Sequence, residues 1–198
     1  MKAQIYLMSW IGLITVIGYC SKPIINYVCL LKIGYKMGKE KYKILFVCLG
    51  NICRSPAGEG IMKHIISEKG LEDKLEVDSA GTSGYHDGDL PDHRMRRHGA
   101  RRNYVFDSLS RKFTVNDFDD FDIILAMDDS NYSNIMRLSP DLESQKKVHR
   151  MVEFSQKHGY DHIPDPYYMG ADGFELVLDL LEDACDGLMK HIEEKVIL

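Results

Sequence analysis

Short runs of apolar and β-branched residues alternate with segments of helical periodicity along most of the chain. The first run, residues 43–48, has the composition of a strand buried on both faces of a parallel sheet, and it stops at Leu49-Gly50-Asn51. Ser55 and Pro56 then supply a capping hydroxyl and a first-turn proline for a helix that continues to Gly70. Strand, tight loop and helix in this order predict one βα unit.

Later segments repeat the alternation. Further strands are predicted at residues 75–79, 121–127 and 147–152, and further helices at residues 92–99, after Asp128, and at residues 172–194. Strands separated by helices favour an α/β sandwich of three layers with a parallel sheet. In such folds ligands bind beyond the carboxyl ends of the strands.

The first 40 residues differ in composition from the rest. No charged residue occurs from Ala3 to Ser21, a length that approaches a membrane span. The lysines that follow would keep the rest of the chain in the cytoplasm, tethered to the inner membrane, if this segment spans it. A start of the protein at Met37 and a cleaved signal peptide remain the alternatives. We expect a hydrophobic extension over residues 1–40 and a folded domain over residues 41–198.

Charge and cysteine content narrow the class of protein. A net charge of −5 removes the general attraction of a basic chain for nucleic acid, and the arginines at positions 94, 96, 97, 101 and 102 are interpreted as a solvated helix face. Five cysteines without framework spacing favour a reducing compartment. The histidines and aspartates lack metal-site spacing, so we expect neither a metal nor a cofactor.

The loop at residues 48–55 carries the chemistry. It holds a thiol at Cys48, a guanidinium at Arg54 and a hydroxyl at Ser55. A loop that turns into a helix directs backbone N–H groups at one point, where the helix dipole adds positive potential and favours a thiolate. Arg54 offers a planar fork that matches two phosphate oxygens, and Ser55 is placed to donate to the sulfur. We predict a phosphate-binding loop that also includes Leu49, Gly50, Asn51, Ile52 and Cys53.

Phosphoryl transfer to a thiolate needs an acid for the departing oxygen. Asp165 is the candidate, because Pro164 and Pro166 stiffen the backbone on both sides of it. Tyr167 and Tyr168 follow, and they offer flat walls to an aromatic leaving group.

Four separated segments together resemble the low-molecular-weight protein tyrosine phosphatases. They are residues 47–56, 77–80, 126–131 and 165–168, in the family's order, and the resemblance covers about residues 42 to 194. It implies a four-stranded parallel sheet flanked by helices, and metal-free hydrolysis of phosphotyrosine through a phosphocysteine intermediate. By position, Cys48 is the nucleophile, Arg54 the phosphate clamp and Asp165 the general acid and then base.

The resemblance also implies supporting roles. Asn51 and Ser79 correspond to residues that hold the loop in shape, with Asp128 as further support, and Tyr85 falls at an aromatic wall of the cleft. Ile52 stands where related protein arginine phosphatases have threonine, which favours the tyrosine branch. Phosphotyrosine proteins are the implied substrates, with an exopolysaccharide-type tyrosine kinase as a partner if the source is bacterial.

Two other functions stay open. Thiol-dependent arsenate reductases share this fold and anion loop, but they pass oxidation along a series of thiols. Here Cys185 is the only cysteine after the loop, and the expected downstream pair is missing. A non-catalytic phosphate-binding module would have little use for the acid at Asp165. Cys53 lies near enough to Cys48 for a reversible disulfide, so we also predict a safeguard against peroxide.

Overall fold

The computed structural model describes residues 9–10, 13–14 and 41–197, and the chain divides into two units, residues 1–39 and 40–198. In the first unit, β1 (Ser9–Trp10) and β2 (Leu13–Ile14) pair antiparallel. The rest of the predicted hydrophobic extension lies outside the described residues. Among the described residues, no helix combines the length and the apolar character needed to cross a membrane.

Four parallel strands form the sheet of the second unit, in the spatial order β4-β3-β5-β6. They are β3 (Tyr42–Cys48), β4 (Leu75–Gly81), β5 (Ile123–Ala126) and β6 (Val148–Arg150). The predicted α/β class with a four-stranded parallel sheet is therefore confirmed. The chain runs from β3 to β4 on one side and then crosses to β5 on the other, so the carboxyl end of β3 borders the topological switch point at which open α/β sheets bind ligands.

Six α-helices accompany the strands in the described part of the second unit. They are α1 (Arg54–Lys69), α2 (His93–Arg101), α3 (Asp117–Asp120), α4 (Asp129–Leu138), α5 (Leu142–Lys146) and α6 (Ala171–Ile192). A 3₁₀ turn covers Met151–Phe154 and a π turn covers Glu193–Ile197. The fourth strand is shorter than predicted, because Met151 and Val152 belong to the 3₁₀ turn.

The start of α1 corrects one prediction. The helix begins at Arg54 with Cys53 as its N-cap, and no side chain caps it. Ser55 is therefore not the cap; its hydroxyl lies within hydrogen-bond distance of the Cys48 sulfur, at 3.1 Å, and of the Ala80 carbonyl oxygen, at 3.2 Å. The free N–H groups of the first turn are left available to an anion.

Packing on both faces of the sheet fixes β3. Ile44 and Phe46 are buried in the apolar cluster that includes α1 and α6, while Leu45 and Val47 are buried in the cluster on the opposite face. Complete burial of each such side chain contributes about 1.5–3 kcal/mol. The strand that ends in Cys48 is thus held rigidly from both sides.

Candidate active site

The Cys48 sulfur lies at the base of the loop, in the last residue of β3. The residue is 3% exposed, and the sulfur accepts hydrogen bonds from the Asn51 N–H at 3.3 Å and from the Ser55 hydroxyl at 3.1 Å. Two donors directed at one sulfur suit an anionic form of it.

Asn51 fixes the shape of the loop. Its φ of 54° lies in the left-handed region, which asparagine tolerates better than most residues, and it turns the backbone around the sulfur. Its buried side-chain amide donates to the Ser55 hydroxyl at 2.9 Å and to the Ser79 hydroxyl at 2.8 Å. The side-chain oxygen accepts from the Arg111 N–H at 2.9 Å. The amide therefore ties the loop to β4 and to the segment that follows α2.

A buried carboxylate continues this network beneath the loop. The Ser79 hydroxyl donates to Glu59 at 2.5 Å, and Lys63 donates to the other oxygen of Glu59 at 2.5 Å. Glu59 is only 2% exposed on α1 and was missed by the sequence analysis. The available signal is a carboxylate placed between apolar positions of the helix, such as Ala57 and Ile61.

The loop carbonyls are bound from outside the loop. The carbonyls of Cys48 and Leu49 accept hydrogen bonds from the backbone N–H groups of Thr82 and Ser83, each at 2.9 Å. The carbonyl of Ile52 accepts from the backbone N–H of Asp92 at 2.7 Å. Separately, the Gly50 carbonyl accepts from the Ser110 hydroxyl at 3.1 Å. With its carbonyls engaged elsewhere, the loop has its amide groups to offer to an anion.

Gly81 permits this close approach of the loop to β4. A Cβ atom there would lie 2.9 Å from the carbonyl oxygens of both Leu49 and Ser83. Backbone atoms cannot move away as a flexible side chain can, so the position requires glycine.

The Arg54 guanidinium is buried and held at three points. Nη1 donates to Asp128 at 2.6 Å and to the Ile163 carbonyl at 3.0 Å, and Nη2 donates to Asp165 at 3.0 Å. Burial alone would lower the pKa of Arg54, but the negative charges of Cys48, Asp165 and Asp128 more than offset this and raise it. Arg54 therefore stays charged and fixed in orientation.

Asp165 is held from both sides. Two residues before it, Ile163 donates its N–H to the Met127 carbonyl at 2.8 Å. Two residues after it, the Tyr167 N–H donates at 3.1 Å to the Asp165 carboxyl oxygen that does not contact Arg54. The carboxyl group is 42% exposed, so it faces solvent while contacting Arg54. A carboxyl placed in this way can exchange a proton with a ligand or with water.

These groups border one cleft of about 350 Å³. Cys48, Arg54, Asp165 and most of the predicted loop line it, namely Leu49, Gly50, Ile52 and Cys53, together with the predicted aromatic residues Tyr85, Tyr167 and Tyr168. Asn51 and Ser55 do not line the cleft; they contact the sulfur from beneath. Tyr85 is 88% exposed at the rim.

Two lining residues were missed by the sequence analysis, Ser83 and His86. His86 lies over Gly50, where a Cβ atom would be 3.2 Å from the imidazole ring, and its Nδ1 is 3.0 Å from Asp89. Nothing in the spacing of the eight histidines distinguishes this one.

Cys53 borders the same cleft but differs from Cys48 in its surroundings. Burial raises the pKa of the Cys53 thiol, and the negative charges of Asp92 and Cys48 raise it further. Within the described ranges, no three side chains of His, Cys, Asp or Glu are grouped so as to hold a metal ion.

Comparisons with known proteins agree with this geometry. The family model of the low molecular weight phosphotyrosine protein phosphatases matches residues 43–197. A Synechocystis relative, named provisionally as a low molecular weight protein-tyrosine-phosphatase, is 48% identical over 78% of this chain and 99% of its own. A crystal structure of a protein tyrosine phosphatase from Entamoeba histolytica, with Hepes in its active site, is 47% identical at a TM-score of 0.76 and covers 78% of this chain and 98% of that one. The structure of Drosophila arginine phosphatase is 31% identical at a TM-score of 0.72, covering 77% of this chain and 99% of that one. The chain belongs to the low molecular weight phosphotyrosine protein phosphatase family.

Proposed function

We propose that this chain hydrolyses phosphotyrosine in proteins through a phosphocysteine intermediate on Cys48. The observation that carries the proposal is that Cys48, Arg54 and Asp165 border one cleft, with Arg54 bonded directly to Asp165. These residues supply a nucleophile, a cation for the phosphoryl oxygens and a proton donor. They are the three groups that thiol-based phosphoryl transfer requires.

In the first step the Cys48 thiolate attacks phosphorus, and the bond from phosphorus to the tyrosine oxygen breaks. Protonated Asp165 gives its proton to that oxygen, so tyrosine leaves as the neutral phenol. Arg54 and the loop amides bind the phosphoryl oxygens, whose charge grows in the transition state. Tyr85 and Tyr167 flank the aromatic ring of the substrate.

In the second step water attacks phosphorus, and the phosphorus–sulfur bond breaks to release inorganic phosphate. Asp165, now a carboxylate, takes the proton from the attacking water. The sulfur leaves as a thiolate, and the Ser55 hydroxyl and the Asn51 N–H, which lie 3.1 and 3.3 Å from it in the free protein, donate to it. The same two donors therefore serve attack and departure.

Turnover of a chromogenic aryl phosphate tests the proposal. We expect Cys48→Ser to abolish turnover and a chelator to have no effect, whereas Cys185→Ala, which alters a buried thiol on α6, retains it. Acid quenching during turnover should trap phosphate on the protein, and Cys48→Ser should trap none. Turnover by Cys48→Ser, or thioredoxin-dependent arsenate reduction in its place, would overturn the assignment.

Phosphotyrosine, rather than phosphoarginine, is the substrate class that Ile52 favours. Ile52 borders the cleft next to Cys53, and a branched apolar residue at this position suits an aromatic ring. Paired peptides carrying one or the other phosphorylated residue test this, and faster hydrolysis of the phosphoarginine peptide would contradict it. If the source is bacterial, we propose from the family resemblance that an exopolysaccharide-type tyrosine kinase is a protein substrate, and loss of phosphotyrosine from that kinase tests this.

We also propose that residues 41–198 form the catalytic domain, cytoplasmic and preceded by the extension over residues 1–40. Intact mass of the native protein distinguishes the alternatives for that extension. A mass that corresponds to a start at Met37 excludes the membrane anchor, and retention of the full chain in a membrane fraction supports it.

A further inference from the structure

Arg94 is one of two arginines around α2 that do not form part of the predicted solvated helix face. Its side chain is 31% exposed, and its guanidinium carbon lies 4.9 Å from the centre of the Phe174 ring and 5.1 Å from that of Tyr167. Both carboxylate oxygens of Asp92 bind it, accepting from Nε at 3.0 Å and from Nη2 at 2.7 Å. Arg102, which contacts carboxylates of α6, is the other exception. Arg94 is therefore held in one orientation between two rings.

Asp92 connects this arginine to the phosphate-binding loop. Its N–H donates to the Ile52 carbonyl at 2.7 Å, and its carboxylate caps α2 by accepting from the Arg94 N–H at 2.8 Å. Hydrogen bonds from Arg94 lower the pKa of Asp92, so the carboxyl group carries its charge. One end of the Asp92–Arg94 pair is thus attached to the loop that holds the nucleophile.

The other end of the pair is attached to the segment that carries the general acid, residues 164–168, here named the acid loop. Arg94 Nη1 donates to the Tyr167 carbonyl at 3.0 Å, and the Tyr167 N–H donates to Asp165 at 3.1 Å. Among the described residues, the hydrogen bonds that join the acid loop to helices or strands come from Arg54 and Arg94. The residue that Arg94 holds therefore holds the acid.

The contacts from the two arginines differ in what they depend on. In the proposed first step Asp165 is protonated, which removes its ion pair with Arg54, and the phosphoryl oxygens then engage the Arg54 guanidinium. Arg94 instead donates to a backbone carbonyl, so its contact depends neither on the proton of Asp165 nor on the phosphoryl group. Arg94 is thus the contact that persists while the acid works.

We propose that Arg94, held by Asp92, is a positioning residue for the general acid: it keeps the acid loop in place while Arg54 binds the phosphoryl group. The inference rests on the proposed function. Arg94 does not line the catalytic cleft, so it acts through Tyr167 rather than on the substrate.

Aryl phosphates whose leaving groups differ in acidity test this role. Phenol resembles the tyrosine side chain, with a pKa of about 10, and needs a proton as it leaves, whereas the much more acidic 2,4-dinitrophenol leaves as an anion. We expect Arg94→Gln to lower kcat/KM for phenyl phosphate by about tenfold or more, and to leave that for 2,4-dinitrophenyl phosphate within about threefold of the parent. A general loss of structure, or of positive charge near the cleft, would lower both values together.

Two further variants accompany Arg94→Gln. Arg101→Gln is the matched control, because Arg101 is exposed at the end of the same helix, and no ion pair involves it in the described part of the chain. Asp92→Asn keeps an oxygen to cap α2 and the N–H that binds Ile52, but it weakens the hold on the guanidinium. We expect it to change the two kcat/KM values in the same sense as Arg94→Gln. Urea unfolding checks that each variant is folded.

The ratio of kcat/KM for 2,4-dinitrophenyl phosphate to that for phenyl phosphate decides the outcome. A ratio that rises by about threefold or more in Arg94→Gln, and stays at the parent value in Arg101→Gln, supports the proposal, and a smaller rise overturns it. If Arg94→Gln does not fold, the same criterion is applied to Asp92→Asn. Failure of the proposed function would appear separately, as aryl phosphate turnover that survives Cys48→Ser.

Discussion

Replacing Asp128 by asparagine separates its two contacts. One carboxylate oxygen accepts from the Asn131 N–H at 2.7 Å and caps α4, and the other accepts from Arg54 at 2.6 Å. Asp128→Asn keeps a capping oxygen but removes the negative charge beside the guanidinium. We therefore expect α4 to persist while Arg54 loses its shortest contact.

The size of the effect follows from the burial of Arg54. The residue is 2% exposed, so water cannot replace the lost partner, and the contacts with Ile163 and Asp165 remain. A hydrogen bond to a charged group contributes about 1.5–3 kcal/mol. If that energy holds the guanidinium in the orientation that binds the transition state, its loss lowers kcat/KM by about 10- to 150-fold.

Asp141 offers a matched control. It caps α5 in the same way, accepting from the Ser144 N–H at 2.7 Å, and it does not border the cleft. Steady-state kinetics with an aryl phosphate compare Asp128→Asn with Asp141→Asn, and urea unfolding checks that both variants are folded. If kcat/KM of the folded Asp128→Asn variant stays within about twofold of the control, Asp128 is a helix cap alone and the reasoning fails.

Three further outcomes are expected. Ser55→Ala removes a donor to the departing sulfur, and such a hydrogen bond to a charged group contributes about 1.5–3 kcal/mol. We expect breakdown of the intermediate to slow by one to two orders of magnitude, so that stopped-flow traces show a burst. Unchanged traces would contradict this. In Cys53→Ser, the sulfenic acid that peroxide forms on Cys48 has no neighbouring thiol with which to condense to a disulfide and release water. We therefore expect less activity to return on reduction than in the parent. Equal recovery excludes the safeguard. Burial alone would raise the pKa of Asp183, but N–H groups of residues 156–158 bind its carboxylate and lower that pKa. Its charge thus stabilises the fold above the ordinary value of about 3.9, and this stability is lost as the pH falls through the lowered pKa. Urea unfolding should accordingly show a steeper acid loss in the parent than in Asp183→Asn, and parallel curves would argue against it.

Local sequence signals predicted the βα unit that carries the nucleophile. The apolar run of β3 and the turn residues after it act over a few positions, so their structure follows from nearest neighbours in the chain. The boundary of α1 did not follow, because the Ser55 hydroxyl contacts another partner and does not cap the helix N-terminus. That partner is the Cys48 sulfur, seven positions earlier in the chain. The choice depends on the shape of the closed loop, which no local pattern encodes.

Sequence periodicity could not predict the contacts of Arg54, for a different reason. Asp128 and Ile163 reach it only because β5 lies beside β3 in parallel register, with Val47 opposite Ala126. Strand order is a property of the whole sheet, and no segment of the chain predicted it; the family resemblance implied only a parallel sheet of four strands.

The strand order also explains why the loop is rigid as well as reactive. Asn51 is held from the β4 side by Ser79, and Arg54 is held from the β5 side by Asp128. These two sets of hydrogen bonds act on opposite flanks of the loop, and the buried strand β3 lies between them. Loss of the hydrogen bonds on one flank should disturb different groups from loss on the other. The bonds on the β4 side fix the backbone around the sulfur, whereas those on the β5 side fix the orientation of the guanidinium. Substitutions at Ser79 are therefore expected to act on the sulfur first, and those at Asp128 on the phosphate clamp.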